Sequence, residues 1–307
     1  MRPMDLPLDP ALAWPVPADP LPGTGFAPPH GLLALWDGAD DSRFILERAA
    51  ALALRLDEPL CVAPLGERRT VPARARARLH AAVHELAAQG RLSGLRVRAL
   101  DTALWPHGGI ATGSWPQRLA CVALPTDARV RQGHWPGRWR GWLDGGGLPL
   151  LFLGRDGPPV HRQALLPVSL DDDARAQARV ACLGLLAPGG TAEWLHVSDL
   201  PRHRIDPGSR LPRRVLDQVL QAEYRERYLR LLALAQLGYG PSVRCYVAQG
   251  AVAAAIERHQ RTLGHDLVVL GWGRRAAAWR CWRPPLAEGL LRLLDCDLLV
   301  LPAGGRP

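Results

Sequence analysis

The fold class is decided by two apolar stretches near the end of the chain, HDLVVLG at residues 265–271 and DCDLLVLP at residues 295–302. Each contains a run of apolar residues beside an acidic residue and a breaker, which is typical of a strand buried on both faces of a sheet. Between them, residues 286–294 (LAEGLLRLL) have the apolar spacing of a helix. A strand, a helix and a strand in this order predict a β-α-β unit, and hence a parallel sheet.

The same alternation continues upstream and passes through the chain twice. Predicted strands lie at residues 31–37, 59–65, 95–100, 119–124, 148–154, 164–169, 194–197, 243–248, 266–271 and 297–302. Predicted helices lie at residues 40–56, with Asp40 and Asp41 as N-cap candidates, and at 72–90, 171–190, 212–237, 252–263 and 286–294. The pattern predicts an α/β fold with two doubly wound, five-stranded parallel-sheet domains in tandem.

The length of 307 residues fits two domains of about 150 residues each. We place the boundary at RDGPP, residues 155–159, with an N-terminal domain at 30–155 and a C-terminal domain at 160–307. Residues 1–29 contain nine prolines, a density that prevents a helical signal-peptide core. We expect this leader to be unordered.

The charge balance excludes several enzyme classes. The 38 basic residues outnumber 29 acidic ones, and all 38 are Arg, so the chain has no lysine for a Schiff base, a phosphate-binding loop or a kinase strand. A net charge of +9 invites a nucleic-acid interpretation, but no recognisable DNA- or RNA-binding motif accompanies it. Arg on solvated surfaces explains the charge more simply.

The cysteines and the hydropathy pattern indicate a reduced, cytoplasmic protein. No Cys-x-x-Cys pair is present, so neither a zinc ribbon nor a thioredoxin-type site is indicated. No stretch reaches 18 apolar residues without a charge or a breaker. The six cysteines, which we expect to be structural thiols, are Cys61, Cys121, Cys182, Cys245, Cys281 and Cys296.

The second half resembles a universal stress protein domain, and the whole chain resembles a tandem pair of them. The resemblance is carried by ALLPVSLDDDARAQARVACLGLL, AEWLHVSD, VRCYVAQGAVAAAI, HDLVVLGWGRR and LAEGLLRLLDCDLLVLP, which cover most of residues 162–302. The first half matches more weakly, through LLALWDGADD, PLCVAPL, LRVRALD and LPLLFLG. The resemblance implies a five-stranded, adenine-nucleotide-binding α/β domain in each half, the two packed as an intramolecular pseudo-dimer through their last strands.

The family's ATP-binding members use an acidic residue after the first strand, a backbone contact after the second and a Gly-x-x-Gly-x9-Gly-Ser/Thr loop after the fourth. In the first half Asp37 supplies the acid, but residues 125–128 (PTDA) replace the glycine loop. In the second half Ser169 stands at the acidic position, Val197 at the backbone position and Gly271 at the start of the loop. Neither half therefore holds a complete ATP signature.

Arginine and proline take the places of the later loop glycines. Arg274 follows Gly271 by three residues, and Pro284-Pro285, which lacks N–H groups for a phosphate, replaces Gly-Ser. The candidate nucleotide-binding residues are Asp37, Ser169, Val197, Gly250, Gly271, Gly273, Arg274, Arg275 and Arg283. No cofactor is certain from this pattern, and ATP or AMP remains an open ligand.

Tryptophans accompany the arginines between the fourth and fifth strands of each half. In a functional interpretation, these residues form a surface that stacks bases or holds phosphates. In a structural interpretation, the tryptophans fill the emptied pockets. The tryptophans are Trp135, Trp139, Trp142, Trp279 and Trp282, of which we expect Trp139 to be buried. His80 and His84, four apart on a helix, lack a third metal ligand nearby, so we assign them to a solvated face.

These observations predict a non-catalytic stress-response or regulatory protein whose nucleotide binding is degenerate or lost. One alternative is an ATP- or AMP-binding switch with weak ATPase activity that uses Arg in place of the glycine loop. A second is a nucleic-acid-associated protein that uses the Arg/Trp surface. Partners beyond the pseudo-dimer, whether a second copy or another protein, stay open, and no metal or membrane is expected.

Overall fold

Both halves of the chain are visible in the computed structural model. It describes residues 31–36, 43–64, 73–88, 94–99, 121–125, 149–170, 185–198, 213–239, 244–271 and 286–301. Two predictions concern residues outside these ranges and stay predictions: that the Pro-rich leader is unordered, and that Trp139 is buried.

Ten strands and five helices form the described fold. The strands are β1 (Leu32–Trp36), β2 (Leu60–Pro64), β3 (Val97–Ala99), β4 (Cys121–Pro125), β5 (Leu150–Leu153), β6 (His161–Pro167), β7 (Leu186–Ser198), β8 (Arg244–Gln249), β9 (Leu267–Gly271) and β10 (Asp297–Leu301). The helices are α1 (Phe44–Arg55), α2 (Ala73–Ala88), α3 (Arg213–Tyr239), α4 (Val252–Leu263) and α5 (Leu286–Leu293).

All ten strands belong to one sheet, in the order β3-β2-β1-β4-β5-β10-β9-β6-β7-β8. Each half contributes five strands in the same internal order, and neighbours within a half run parallel. The halves meet where β5 pairs antiparallel with β10, with Leu151 opposite Leu299. The predicted α/β fold of two five-stranded parallel sheets is confirmed, and the two sheets continue into each other.

The sheet has apolar side chains on both faces, as continuous apolar runs require. One face packs against α1, α2 and α3, through residues such as Leu52, Leu79 and Leu231. The other packs against α4 and α5, through Ile256 and Leu290. Helices on both faces make the sheet doubly wound.

Two local predictions were wrong. The helix predicted over residues 171–190 does not extend to residue 190, because residues 186–190 belong to the extended strand β7. Gly189 has a φ of +76°, and a Cβ at Gly190 would lie 2.9 Å from the Ala187 carbonyl oxygen, so glycine marks an irregular strand there rather than a helix end. Helix α1 begins after Arg43, which makes no side-chain capping hydrogen bond; Asp40 and Asp41, the predicted caps, lie outside the described residues.

The described cysteines fit the structural role predicted for them. Cys61, Cys245 and Cys296 form no disulfide. Burial raises the pKa of the Cys245 thiol to about 12, and it also raises the pKa of Cys296. Neither thiol therefore carries the negative charge that a nucleophile or a metal ligand needs near neutral pH.

Candidate functional site

The candidate site lies at the carboxyl ends of the strands of the second half. In an open parallel sheet, ligands bind where the strand order reverses. Here the chain proceeds outward from β6 to β7 and β8 on one side, and from β9 to β10 on the other. The reversal point is therefore between β6 and β9, which pair through Ala164 and Leu267.

Four predicted site residues share this edge. Ser169 follows β6, Val197 is next to last in β7, Gly250 follows β8 and Gly271 ends β9. All four are at least partly accessible to solvent. The alternation of strands and helices was sufficient to predict this placement, because the carboxyl ends of parallel strands meet at one edge.

The backbone around Ser169 and Val197 is held by sheet hydrogen bonds. The Val168 N–H donates to the Leu195 carbonyl over 2.9 Å, so the first residue beyond β6 remains tied to β7. Val197 pairs with Ala248 in β8. The backbone that leads into Ser169 is therefore fixed at this edge of the sheet.

The two described glycines form an open backbone rim. Gly250 has a φ of +117°, a conformation that favours glycine, and its N–H donates to the Ser198 carbonyl over 3.3 Å. A Cβ at Gly250 would meet nothing within 4 Å. Gly271 pairs with Leu301 at the end of the sheet and is exposed.

The remaining predicted site residues lie outside the described residues. They are Asp37, Gly273, Arg274, Arg275 and Arg283. The tryptophans of the predicted Arg/Trp surface, Trp135, Trp139, Trp142, Trp279 and Trp282, lie outside them as well.

A buried histidine lies beside this edge of the sheet. His196 of β7 contacts the Val168 carbonyl oxygen through Nδ1 at 3.1 Å and the Arg227 guanidinium of α3 through Nε2 at 3.4 Å. Glu223, one turn earlier in α3, accepts a hydrogen bond of 3.1 Å from Arg227. A carbonyl oxygen only accepts and a guanidinium only donates, so this arrangement suits Nδ1 as the donor and Nε2 as the acceptor.

A second polar cluster lies at the opposite edge of the same half. We call Glu193, His265 and Arg244 the amino-edge cluster, because they stand near the amino ends of β8 and β9. Glu193 accepts hydrogen bonds from His265 at 2.9 Å and from Arg244 at 3.2 Å. Burial favours a raised pKa for Glu193, but the hydrogen bonds and positive charges of His265 and Arg244 outweigh it and lower the pKa.

Neither a metal site nor a membrane span is found in the described part of the chain. There, no group of three or more His, Cys, Asp or Glu side chains is arranged to hold a metal ion. His80 and His84 are both exposed on α2. No described helix is long and apolar enough to cross a membrane.

Comparison with known proteins agrees with the fold and with the resemblance seen in the sequence. The family model described as "Universal stress protein family" matches residues 161–302. A universal stress protein from Archaeoglobus fulgidus has a similar structure, with 14% identity, a TM-score of 0.58 and coverage of 89% of this chain and 96% of that one. A protein of unknown function from Pseudomonas aeruginosa is similar too, with 18% identity, a TM-score of 0.59 and coverage of 89% and 92%. Comparison with curated protein sequences gives no significant match.

The second half, with its five parallel strands and helices on both faces, thus has the architecture of a universal stress protein domain. The match to the universal stress protein family model covers this half alone. The structural similarity covers both halves, as a tandem fold requires.

Proposed function

We propose that this protein acts in the stress response as a regulatory protein without catalytic turnover, and that its nucleotide site is degenerate. The supporting observation is the hydroxyl of Ser169 at the carboxyl end of β6, where ATP-binding members of the family carry an acid. A hydroxyl can hydrogen-bond a ribose, but it brings no charge to orient one. The prolines at Pro284 and Pro285 remove backbone donors from the segment that would hold the phosphates.

A thermal unfolding scan with and without millimolar ATP and Mg²⁺ tests this proposal, with AMP and polyphosphate as further ligands. A ligand at about 100 times its dissociation constant adds roughly 2.7 kcal/mol to the free energy of unfolding. This corresponds to a shift of several degrees for domains of this size. We expect no shift specific to ATP or AMP; a specific shift would contradict degeneracy, and a shift with polyphosphate alone would reveal only a basic surface.

A nucleotide-binding switch is the second candidate, favoured by the exposure of residues at the reversal point. Ser169 directly beyond β6 and Gly271 at the end of the neighbouring β9 are both accessible to solvent there, which suits the close approach of a nucleotide. In this candidate the arginines Arg274, Arg275 and Arg283 replace the glycine loop as phosphate ligands. A specific ATP shift that disappears when these three are changed to Gln would favour it.

Ser169→Asp separates a missing acid from a missing loop. If the acid alone is lacking, S169D gains an ATP-specific rise in Tm while the polyphosphate response stays unchanged. Ser169→Asn is the matched control, since it adds a similar volume without the charge. If S169D shows no gain, the loop is the deficient part, and the proposal of a degenerate site stands.

A further inference from the structure

One buried cluster joins elements that are distant in the sequence and belong to both halves. Arg48 of α1 donates to both carboxylate oxygens of Asp297, over 2.8 Å to Oδ1 and 2.5 Å to Oδ2. His161, the first residue of β6, bonds the same carboxylate through Nε2 at 2.6 Å. Arg48 belongs to the first half, and the other two residues belong to the second. All three side chains are almost completely buried.

The same guanidinium also fastens the segment that connects the halves. Its Nη1 donates to the Gly154 carbonyl over 2.6 Å, and its Nη2 donates to the Pro158 carbonyl over 2.5 Å. The Gly154 N–H donates to Asp297 over 2.8 Å. A Cβ at Gly157 would overlap the guanidinium, so a larger residue at this position would displace it. The short connector between β5 and β6 therefore surrounds the Arg48 guanidinium and is hydrogen-bonded to it.

This cluster stands beside the pair of strands that unites the sheet. Asp297 begins β10, and Gly154 directly follows β5. If the halves separated, β5 and β10 would each become an unpaired edge flanked by buried apolar residues. The most complementary surface for such an edge is the same edge in a second copy of the chain. Short connectors favour this kind of exchange.

We propose that Arg48, Asp297 and His161 form a latch that keeps β5 and β10 paired within one chain, and that opening it lets two copies exchange halves. The latch acts through geometry as well as charge. Each terminal nitrogen of the Arg48 guanidinium donates both to the Asp297 carboxylate and to a backbone carbonyl. Lys offers a point charge in place of the planar fork, so it cannot make the same set of bonds. The occupant of the exposed edge is a second copy of this chain.

Three variants open the latch in different ways, and two controls leave it closed. R48M removes the charge, R48K removes the fork, and G157A displaces the guanidinium sterically. R43Q is the control for the first two, since it breaks the exposed pair that Arg43 forms with Glu85. G289A is the control for the third, because a Cβ at Gly289 meets nothing within 4 Å.

The assembly state of each variant is measured by light scattering after refolding at low and high protein concentration. We expect the latch variants to show a species of twice the wild-type mass, with a dimer-to-monomer ratio about tenfold or more above that of wild type. The controls keep the wild-type mass. A folded R48K or G157A protein that retains the wild-type mass at every concentration overturns the proposal, even if R48M does not fold.

Trypsin cleavage after Arg155 supplies a test on the wild-type chain itself. Arg155 lies in the connector and is exposed, and a held backbone slows cleavage of its peptide bond. We expect the folded wild-type chain to be cut there at least about tenfold more slowly than a synthetic peptide of residues 150–162. The latch variants lose this protection and the controls keep it. Cleavage of the wild-type chain at the rate of the peptide overturns the proposal.

Discussion

The latch and the amino-edge cluster use the same residue types in different surroundings. In both, a carboxylate is bonded by one arginine and one histidine. The Asp297 side chain of the latch is fully buried and that of Arg48 is 7% exposed, whereas the Arg244 side chain of the amino-edge cluster is 65% exposed. An exposed arginine is solvated when its partner is removed, but a buried one is not. We therefore expect exposure, more than residue type, to decide what each bond contributes to stability.

The largest effect is expected for Asp297→Asn. This change leaves the Arg48 charge buried without its counter-charge, so we expect a loss of about 3–5 kcal/mol in the free energy of unfolding. Urea unfolding followed by circular dichroism measures it. The double variant R48M/D297L is the control, because removing both charges should recover part of the loss, although the Gly154 N–H and His161 still lose their acceptor. A loss below about 1 kcal/mol for D297N would remove the contrast between the two clusters.

Glu193→Gln is expected to have an intermediate effect. The Glu193 carboxylate is nearly buried and accepts from buried His265, so we expect a loss of about 1.5–3 kcal/mol. Arg244→Ala removes the exposed partner of the same carboxylate, and its loss should stay below about 1 kcal/mol. The same urea experiment measures both variants. Equal losses for E193Q and R244A would show that exposure does not govern this cluster.

Acid should weaken both clusters in the same direction. Burial favours a raised pKa for Asp297, but the hydrogen bonds and positive charges of His161 and Arg48 outweigh it and lower the pKa. In the same way, His265 and Arg244 lower the pKa of Glu193. A carboxylate whose pKa is lower when folded stabilises the protein above its unfolded pKa of about 4, and this contribution is lost as the pH falls through the folded pKa. We expect Tm to drop steeply below pH 4. The drop should be shallower in D297N, whose residue 297 no longer titrates.

A smaller effect at milder pH is expected from His259 of α4, which lies next to the amino-edge cluster. Its ring stacks on that of His265 with centroids 5.9 Å apart. Burial and the charge of His265 lower the pKa of His259 below its usual 6.5. The unfolded chain then binds the proton more readily, so stability should fall as the pH decreases from 6.5. Tm scans should show a smaller change between pH 7.5 and 5.5 in His259→Gln than in wild type; an identical change would contradict this.

The smallest effect is expected for Arg261→Ala. Arg261 forms exposed pairs with Glu257 at 2.8 Å and with Asp295 at 3.0 Å. Exposed pairs of this kind contribute about 0–1 kcal/mol. Urea unfolding should therefore place R261A within about 1 kcal/mol of wild type. A loss as large as that of D297N would contradict the comparison.

The sheet was predictable from the sequence because strands buried on both faces appear as unbroken apolar runs. The residues 297–302 and 266–271 were correctly assigned to strands for this reason. The latch was missed because Arg48 and Asp297 are 249 residues apart, and no local pattern connects them. One signal was present: Arg48 lies on the apolar side of α1, three residues after Ile45 and four before Leu52, where a charge requires a buried partner.

The candidate site was only partly predictable, and for a different reason. The edge that holds Ser169, Val197, Gly250 and Gly271 follows from the order of the elements alone. The contact of His196 with Arg227 could not be predicted in this way, because it depends on how α3 lies across the sheet. The start of β7 was misjudged since Gly189 and Gly190 are ordinary signals for a helix end, whereas here they continue an irregular strand.

Because β5 and β10 pair antiparallel, the two halves of the sheet run in opposite directions. Each half is internally parallel, so the carboxyl ends of the first five strands point away from those of the second five. One small ligand cannot span both of these ends. A macromolecule that recognises the Ser169 end meets only the second half, and the first half offers its own end to the opposite direction. The tandem chain thus presents the carboxyl ends of its two sets of strands in opposite directions rather than in a single cleft.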